Sequence, residues 1–444
     1  VSSYHPKMAD SFASFVSSLE QELQTPAPQR PAKKHLKFLM VSTHINQASG
    51  YSKISYGMLR ELAKVENLNV VHFGIQASGT KFNRTYPSNI KVYDATALEK
   101  TKEGGFGYSI LPDVIQQEQP DVVFLYNDIG VINQYLDKIA PVRKTQSFKI
   151  WTYLDQVYEC QLQQHLDIVQ KETDRFFTFT KEWRDVLKRQ NITRPIDVLL
   201  HGYDSSLFPP LSKREARAEL KIPDDAFLFI NLNRNQPRKR LDLMIMAFVE
   251  LITKHPLKPL FLMCVCDKGD KGGFPLFDIY VRELQIRGAS VEAFSNRLLI
   301  TPKEMTYQDD EIAKFYQIAD VGLSTADGEG FGLCAFEQMA QGIPQVLSNV
   351  VGHREYCRPD NSILVDTSAR GYLPLCMSLL GGEVRSVDAS AFSKAMETYV
   401  FQEELRILHG SNAKKMVEQY TWPSVMTGFV KRLDLLCQEL ALDE

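Results

Sequence analysis

Two carboxylates and a group of cations, each beside a glycine or proline turn, carry the chemistry in this sequence. The run STADGEGFGLCAFEQMAQGIP (324–344) reads as a strand end, a tight turn and a helix that starts near Gly332. Gly328, Gly330 and Gly332 allow a ligand close to the backbone. The helix N-terminus offers unpaired N–H groups and partial positive charge, a seat for phosphate. Glu329 lies in the turn, and Glu337 lies in the helix on the stripe of Leu333 and Ala340. Between Lys314 and Arg354 there is no Lys or Arg, so neither carboxylate has a cation close in sequence. A carboxylate on a partly apolar face needs hydrogen-bond donors. Sugar and ribose hydroxyls would supply them; distant basic residues or water are the other source.

The second signal is NLNRNQPRKRLDLMIMAF (231–248), where Arg234, Arg238, Lys239 and Arg240 stand between a strand and a helix. Cations beside a helix N-terminus suit a diphosphate. The competing reading is a solvated basic loop, and the position at the end of a parallel strand favours the former. The third signal is STHINQASGYSK (42–53), the first strand-to-helix loop. It holds only Gly50 and is not a G-x-G-x-x-G fingerprint, which argues against a dinucleotide oxidoreductase. Its backbone at Gly50 can still approach a phosphate or an acceptor.

Alternating strands and helices must position these groups. The apolar runs 37–43, 69–74, 121–126, 149–154, 175–180 and 196–202 read as one set of strands, with a helix over 54–65. After the turn-rich HGYDSSLFPP (201–210) the pattern restarts with 227–232, 260–266, 297–302, 321–325, 344–349 and 362–365, and with helices over 241–252, 310–318 and 333–340. This predicts an α/β chain of two Rossmann-like domains with parallel sheets facing across a cleft. The expected divisions are an extension over 1–35, a first domain over 36–202, a second over 203–420 and a final helix over 421–444. Phe12, Phe15, Val16, Leu19 and Leu23 predict an amphipathic helix over 9–24, followed by a linker.

A length of 444 residues suits two domains, and 44% hydrophobic with 24% charged residues suits a globular protein. The net charge of −3 gives no reason to expect nucleic acid. No run predicts a transmembrane segment or a signal peptide. The seven cysteines show neither zinc spacing nor a disulfide framework. A reducing, cytoplasmic setting is expected.

Together these segments resemble the GT4-type family of retaining glycosyltransferases with the GT-B fold. EGFGLCAFE (329–337) is similar to that family's E-x7-E motif, and Arg234 with Lys239 to its Arg-x4-Lys donor motif. Gly202, Asp204, Phe208 and Pro210 are similar to its interdomain hinge, and YTWPSVMTGFVKRL (420–433) to the start of a final helix that crosses back onto the first domain. The resemblance implies that Arg234 and Lys239 neutralise the donor diphosphate, that Glu329 holds hydroxyls of the transferred sugar, and that Glu337 holds the ribose. It places the backbone of Gly330, Phe331, Gly332 and Leu333 against phosphates or sugar, Gly50 by the β-phosphate and acceptor, and Thr301 to Met305 around the base. It implies no metal and no cofactor besides the nucleotide diphosphate sugar. Many relatives carry a cleft histidine in the first domain; here WTYLDQVYE (151–159) has none, and Asp155 is the nearest polar residue. Asp155 would hold a donor hydroxyl or orient the acceptor, or else cap a helix. His201 and His353 read as structural.

The implied reaction is metal-independent transfer of a hexose, with retention, to a hydroxyl of a glycan, glycolipid or protein. A sugar-nucleotide epimerase, a phosphorylase or a non-catalytic nucleotide-sugar binder on the same fold are the alternatives.

Overall fold

The computed structural model describes residues 35–208, 212–266, 272–301 and 307–443. The 9–24 segment, Pro210 and Met305 lie outside them. The first half carries β1 (Leu36–Thr43), β2 (Leu68–Ile75), β3 (Lys91–Asp94), β4 (Val122–Asp128), β5 (Lys149–Asp155), β6 (Glu159–Gln161), β7 (Arg175–Thr178) and β8 (Ile196–Val198). All but β6 form one parallel sheet, ordered β3-β2-β1-β4-β5-β7-β8. The second half carries β9 (Phe227–Leu232), β10 (Leu260–Val265), β11 (Leu298–Ile300), β12 (Val321–Ser324), β13 (Gln345–Ser348) and β14 (Ser362–Val365). These form a second parallel sheet, ordered β11-β10-β9-β12-β13-β14. In each sheet the chain reverses its direction of travel beside the first strand. Ligands of such sheets bind outside the carboxyl ends of the strands at that switch point.

Central strands such as LKFLMVST are buried along nearly their whole length, as a parallel sheet covered on both faces demands. The helices that position the site are α1 (Gly50–Leu62), α2 (Gln163–Glu172), α3 (Leu241–Lys254), α4 (Asp309–Ile318), α5 (Leu333–Ala340) and α6 (Trp422–Asp443). Ser49 caps α1 by accepting from the Ser52 N–H, and Ile54, Met58, Leu59 and Leu62 face inward. The start of α6 returns to the first half. Trp422 packs against Gly57 and Gly202, and the Phe429 ring meets Phe177, Phe124 and Phe38 with centroids 5.0, 5.4 and 5.9 Å apart. One apolar cluster runs from Phe38 and Trp151 through Phe179 to Phe331, Phe336 and Tyr356. The two sheets therefore share a core.

The strands β3 and β6 and a two-stranded ribbon have no counterpart in the sequence expectation. Strands β15 (Thr367–Tyr372) and β16 (Gly381–Val387) form an antiparallel ribbon, and β16 pairs with β6 of the first half. TSARGY and GGEVRSV lack an apolar run because β15 is largely exposed, so no hydrophobic pattern marks them.

Candidate active site

The cleft between the two sheets holds a cavity of about 510 Å³. Its wall includes Gly50, Asp155, Arg234, Arg238, Lys239, Glu329, Gly330, Phe331, Gly332, Leu333 and Glu337. The two motif loops therefore meet in one crevice, with the α5 N-terminus between them.

The turn after β12 is shaped by two glycines. Gly332, the N-cap of α5, has φ +85°, and a Cβ there would lie 2.7 Å from both His353 and the Tyr356 hydroxyl. A side chain is thus excluded by backbone conformation and by space. Gly330 presses on the opposite wall: a Cβ would come within 2.3 Å of Asp155 Oδ1. The Trp183 indole N–H donates to Gly330 O at 2.8 Å, tying the turn to the first domain.

Glu329 is buried, and its partners are protein cations. Lys239 Nζ donates to Oε1 and Arg238 Nη1 to Oε2, the latter at 3.1 Å. Burial alone would raise the Glu329 pKa, but the Lys239 ammonium and Arg238 guanidinium override it and hold it at about 2. Burial, with Arg238 alongside, pulls the Lys239 pKa down. Arg234 stands exposed at the rim, and its Nη2 donates to Ala48 O at 3.3 Å. Of the two sources of donors open to Glu329, distant basic residues are the one seen here, because the loop after β9 delivers two cations. Arg238 was expected only as one of four cations suited to a diphosphate, and the structure adds its bond to Glu329.

Glu337 is also paired. Lys53 of α1, across the cleft, donates to Oε1 and Oε2 at 2.7 and 2.9 Å, and the Tyr316 hydroxyl donates to Oε2 at 2.9 Å. A carboxylate has about four lone-pair sites, so one on Oε1 is left for a ligand. Lys53 also lies 3.6 Å from Asp309, the first residue of α4. Arg84, in the loop before β3, grips Asp309 with two bonds of 2.8 Å, and both side chains are buried. None of Lys53, Arg84 and Asp309 was singled out from sequence, because their partners lie in the other half of the chain.

Asp155 ends β5 and caps no helix. The Tyr51 hydroxyl donates to its Oδ2. Burial pushes its pKa up to about 6, against the Tyr51 bond and Arg238 and with help from Asp128 and Glu329. The fold therefore favours the protonated acid. That contribution is complete below the ordinary pKa of about 4 and is lost as pH rises through about 6. Asp155→Asn should raise stability at pH 8 by about 2–3 kcal/mol relative to its effect at pH 4. Thermal unfolding of both proteins at the two pH values checks this, and equal differences would contradict the shift.

His353 is buried against Gly332, with Nδ1 2.9 Å from Ser348 O. His201 lines the cavity between the rings of Phe179 and Phe331, at 4.4 and 4.5 Å, and burial lowers its pKa to about 3. Gly50 begins α1, and a Cβ there would touch Leu333 at 3.4 Å. Thr301 follows β11, buried, and is not among the described residues lining the cavity.

The Glycosyl transferases group 1 family matches residues 226–373. D-inositol 3-phosphate glycosyltransferase of Streptosporangium roseum is 30% identical over 159 residues, 36% of this chain and 35% of that protein. The Corynebacterium kroppenstedtii enzyme of that name is 27% identical over 258 residues, 56% of this chain and 51% of that one. The chain thus spans between about a third and a half of the length of these curated relatives. Among solved structures, sucrose-phosphate synthase from Thermosynechococcus elongatus superposes with TM-score 0.66 at 15% identity, over 90% of this chain and 99% of that one. The Anabaena protein HepE in complex with UDP and glucose superposes with TM-score 0.65 at 12% identity, over 90% and 100%. The fold is GT-B, two facing α/β domains. Residues 226–373 are similar to the group 1 glycosyl transferases. No helix among the described residues is long and apolar enough to cross a membrane.

Proposed function

We propose that this chain transfers a hexose from a nucleoside diphosphate sugar to a hydroxyl acceptor, with retention at the anomeric carbon and without a metal. The observation that carries this reading is the convergence of Arg238, Lys239, Glu329 and the α5 N-terminus on one cavity between two Rossmann-like sheets. Breaking the anomeric bond builds negative charge on the departing diphosphate and positive charge on the sugar. Lys239, Arg234 at the rim and the α5 N–H groups oppose the first. Glu329, ionised and fixed by two cations, accepts from hydroxyls of the transferred sugar. Glu337 offers its remaining lone pair to the ribose. Asp155 stands on the opposite wall beside Glu329. The acceptor oxygen bonds to the anomeric carbon as the bond to diphosphate breaks, and its proton passes to the diphosphate. The Anabaena structure holds UDP and glucose, which makes UDP-glucose the first donor to try.

Incubation with UDP-glucose and a panel of hydroxyl acceptors tests the reading. Epimerisation of the donor without any acceptor would replace it with the epimerase alternative. Glu329→Gln keeps the shape and removes the charge. It should lower transfer at least ~10-fold, as loss of a charged contact made in the transition state does, while the nucleotide dissociation constant moves less. Equal losses in calorimetric binding and in transfer would remove Glu329 from the sugar.

A further inference from the structure

Several polar atoms in the cleft wall have no partner among the described residues. Asp155 Oδ1, Gln161 Oε1 and both ring nitrogens of His201 are shut away from solvent and make no hydrogen bond among the described residues. All three side chains line the cavity. They belong to the first-domain wall, on β5, on β6 and in the segment after β8. Buried acceptors and donors are seldom left unpaired, and a polyhydroxylated ligand would pair them.

Beside them the wall changes character. From Gly371 to Gly382 the sequence GYLPLCMSLLGG has no charged residue. It forms the tip of the β15–β16 ribbon, where Tyr372, Leu375, Met377 and Leu379 are 64, 55, 60 and 76% exposed. Ser378, Leu380 and Gly381 of the same tip line the cavity. The tip is anchored: Leu162 N–H donates to Leu380 O at 2.8 Å, Leu373 N–H to Gly382 O at 2.9 Å and Gly381 N–H to Ser378 O at 3.1 Å. His165 Nε2 of α2 lies 3.2 Å from Leu379 O, and Ile168, one turn further along α2, is exposed too. Exposed apolar side chains grouped on a loop that itself lines a cavity mark a binding surface rather than ordinary exposure.

We propose that this is the acceptor subsite and that the acceptor is amphipathic. Its hydroxylated head pairs with Asp155, Gln161 and His201, and a long aliphatic chain leaves the cleft over Leu375, Met377 and Leu379. The assignment as acceptor rests on the glycosyl-transfer reading. A cavity that holds unpaired polar groups and is continuous with an uncharged rim fits one molecule with both characters.

The test uses the full chain and n-alkyl glucosides from ethyl to decyl, below their micellar concentrations, with binding measured by calorimetry. Each methylene removed from water contributes roughly three- to fourfold in affinity, so partial burial should tighten binding at least ~30-fold from ethyl to decyl. The triple variant Leu375→Ser, Met377→Ser, Leu379→Ser should flatten that dependence. Gln161→Leu should weaken every member similarly and keep the slope. No dependence on chain length in the unaltered protein, or an undiminished one in the triple variant, overturns the proposal. So does equal binding to phosphatidylcholine vesicles without any glucoside, which marks a membrane surface. A dimer that the triple variant dissociates, with no chain-length effect, assigns the patch to a second copy. UDP-glucose binding is measured in parallel. Its absence beside an intact chain-length effect defeats the transfer reading and leaves the amphiphile site standing; the reverse defeats only the present proposal.

Discussion

Lys239→Ala should lower glycosyl transfer at least ~100-fold, the scale found when a charge contact to the transition state is lost. Lys239 and Arg238 flank a single ionised carboxylate, Glu329, so the trio carries one net positive charge before any ligand arrives. Arg234 at the rim adds another. A leaving diphosphate gains charge as the anomeric bond breaks, and Lys239 is the buried cation beside its expected path. Alanine removes the ammonium and leaves Glu329 to Arg238 alone, so repulsion between Glu329 and the diphosphate also grows. Single-turnover measurements with a nucleotide sugar separate this from slow product release. Turnover near that of the unaltered protein would mean that the diphosphate lies elsewhere.

Arg84→Met should open the cleft. Arg84 and Asp309 form a buried two-bond pair across the two halves. Removing one partner of such a pair costs about 3–5 kcal/mol, because the other charge stays buried. The melting temperature should fall, and small-angle scattering should show a larger radius of gyration. Arg84→Met combined with Asp309→Leu should recover part of the loss, since no orphaned charge remains. Burial alone would raise the Asp309 pKa, but Arg84 and Lys53 hold it below the ordinary value. The pair's contribution is therefore present above the ordinary carboxylate pKa and is lost as pH falls through the lowered one. Unchanged scattering and melting in the single variant would show that closure rests on other contacts.

The two motif loops were legible in the sequence because each is local: a strand, a turn and a helix within about twenty residues, with turn chemistry that glycine and cations announce. Their meeting was legible only through the resemblance. What local pattern could not show was charge pairing over distance. Lys53 meets Glu337 across 284 positions, and Arg84 meets Asp309 across 225. Nothing near Lys53 or Arg84 distinguishes them from solvated cations. Asp155 was found through the resemblance, as the nearest polar residue where relatives carry a cleft histidine, whereas Tyr51, which holds it, was hidden inside an ordinary helix start. The β15–β16 ribbon escaped because half-exposed strands carry mixed residues, and β6 is three residues long.

The β6–β16 pairing has a mechanical consequence. Backbone bonds join the two halves there, on the opposite side of the crevice from Arg84 and Asp309, with Gly381 opposite Gln161 and Glu383 opposite Glu159. The chain crossing after β8 and the returning α6 are further ties. A protein sewn together in this way cannot part evenly along its whole seam. It must gape like a purse, widest where no strand pairing but only the ion pair and a few hydrogen bonds through Gln308 hold it, and cargo would pass through that lip.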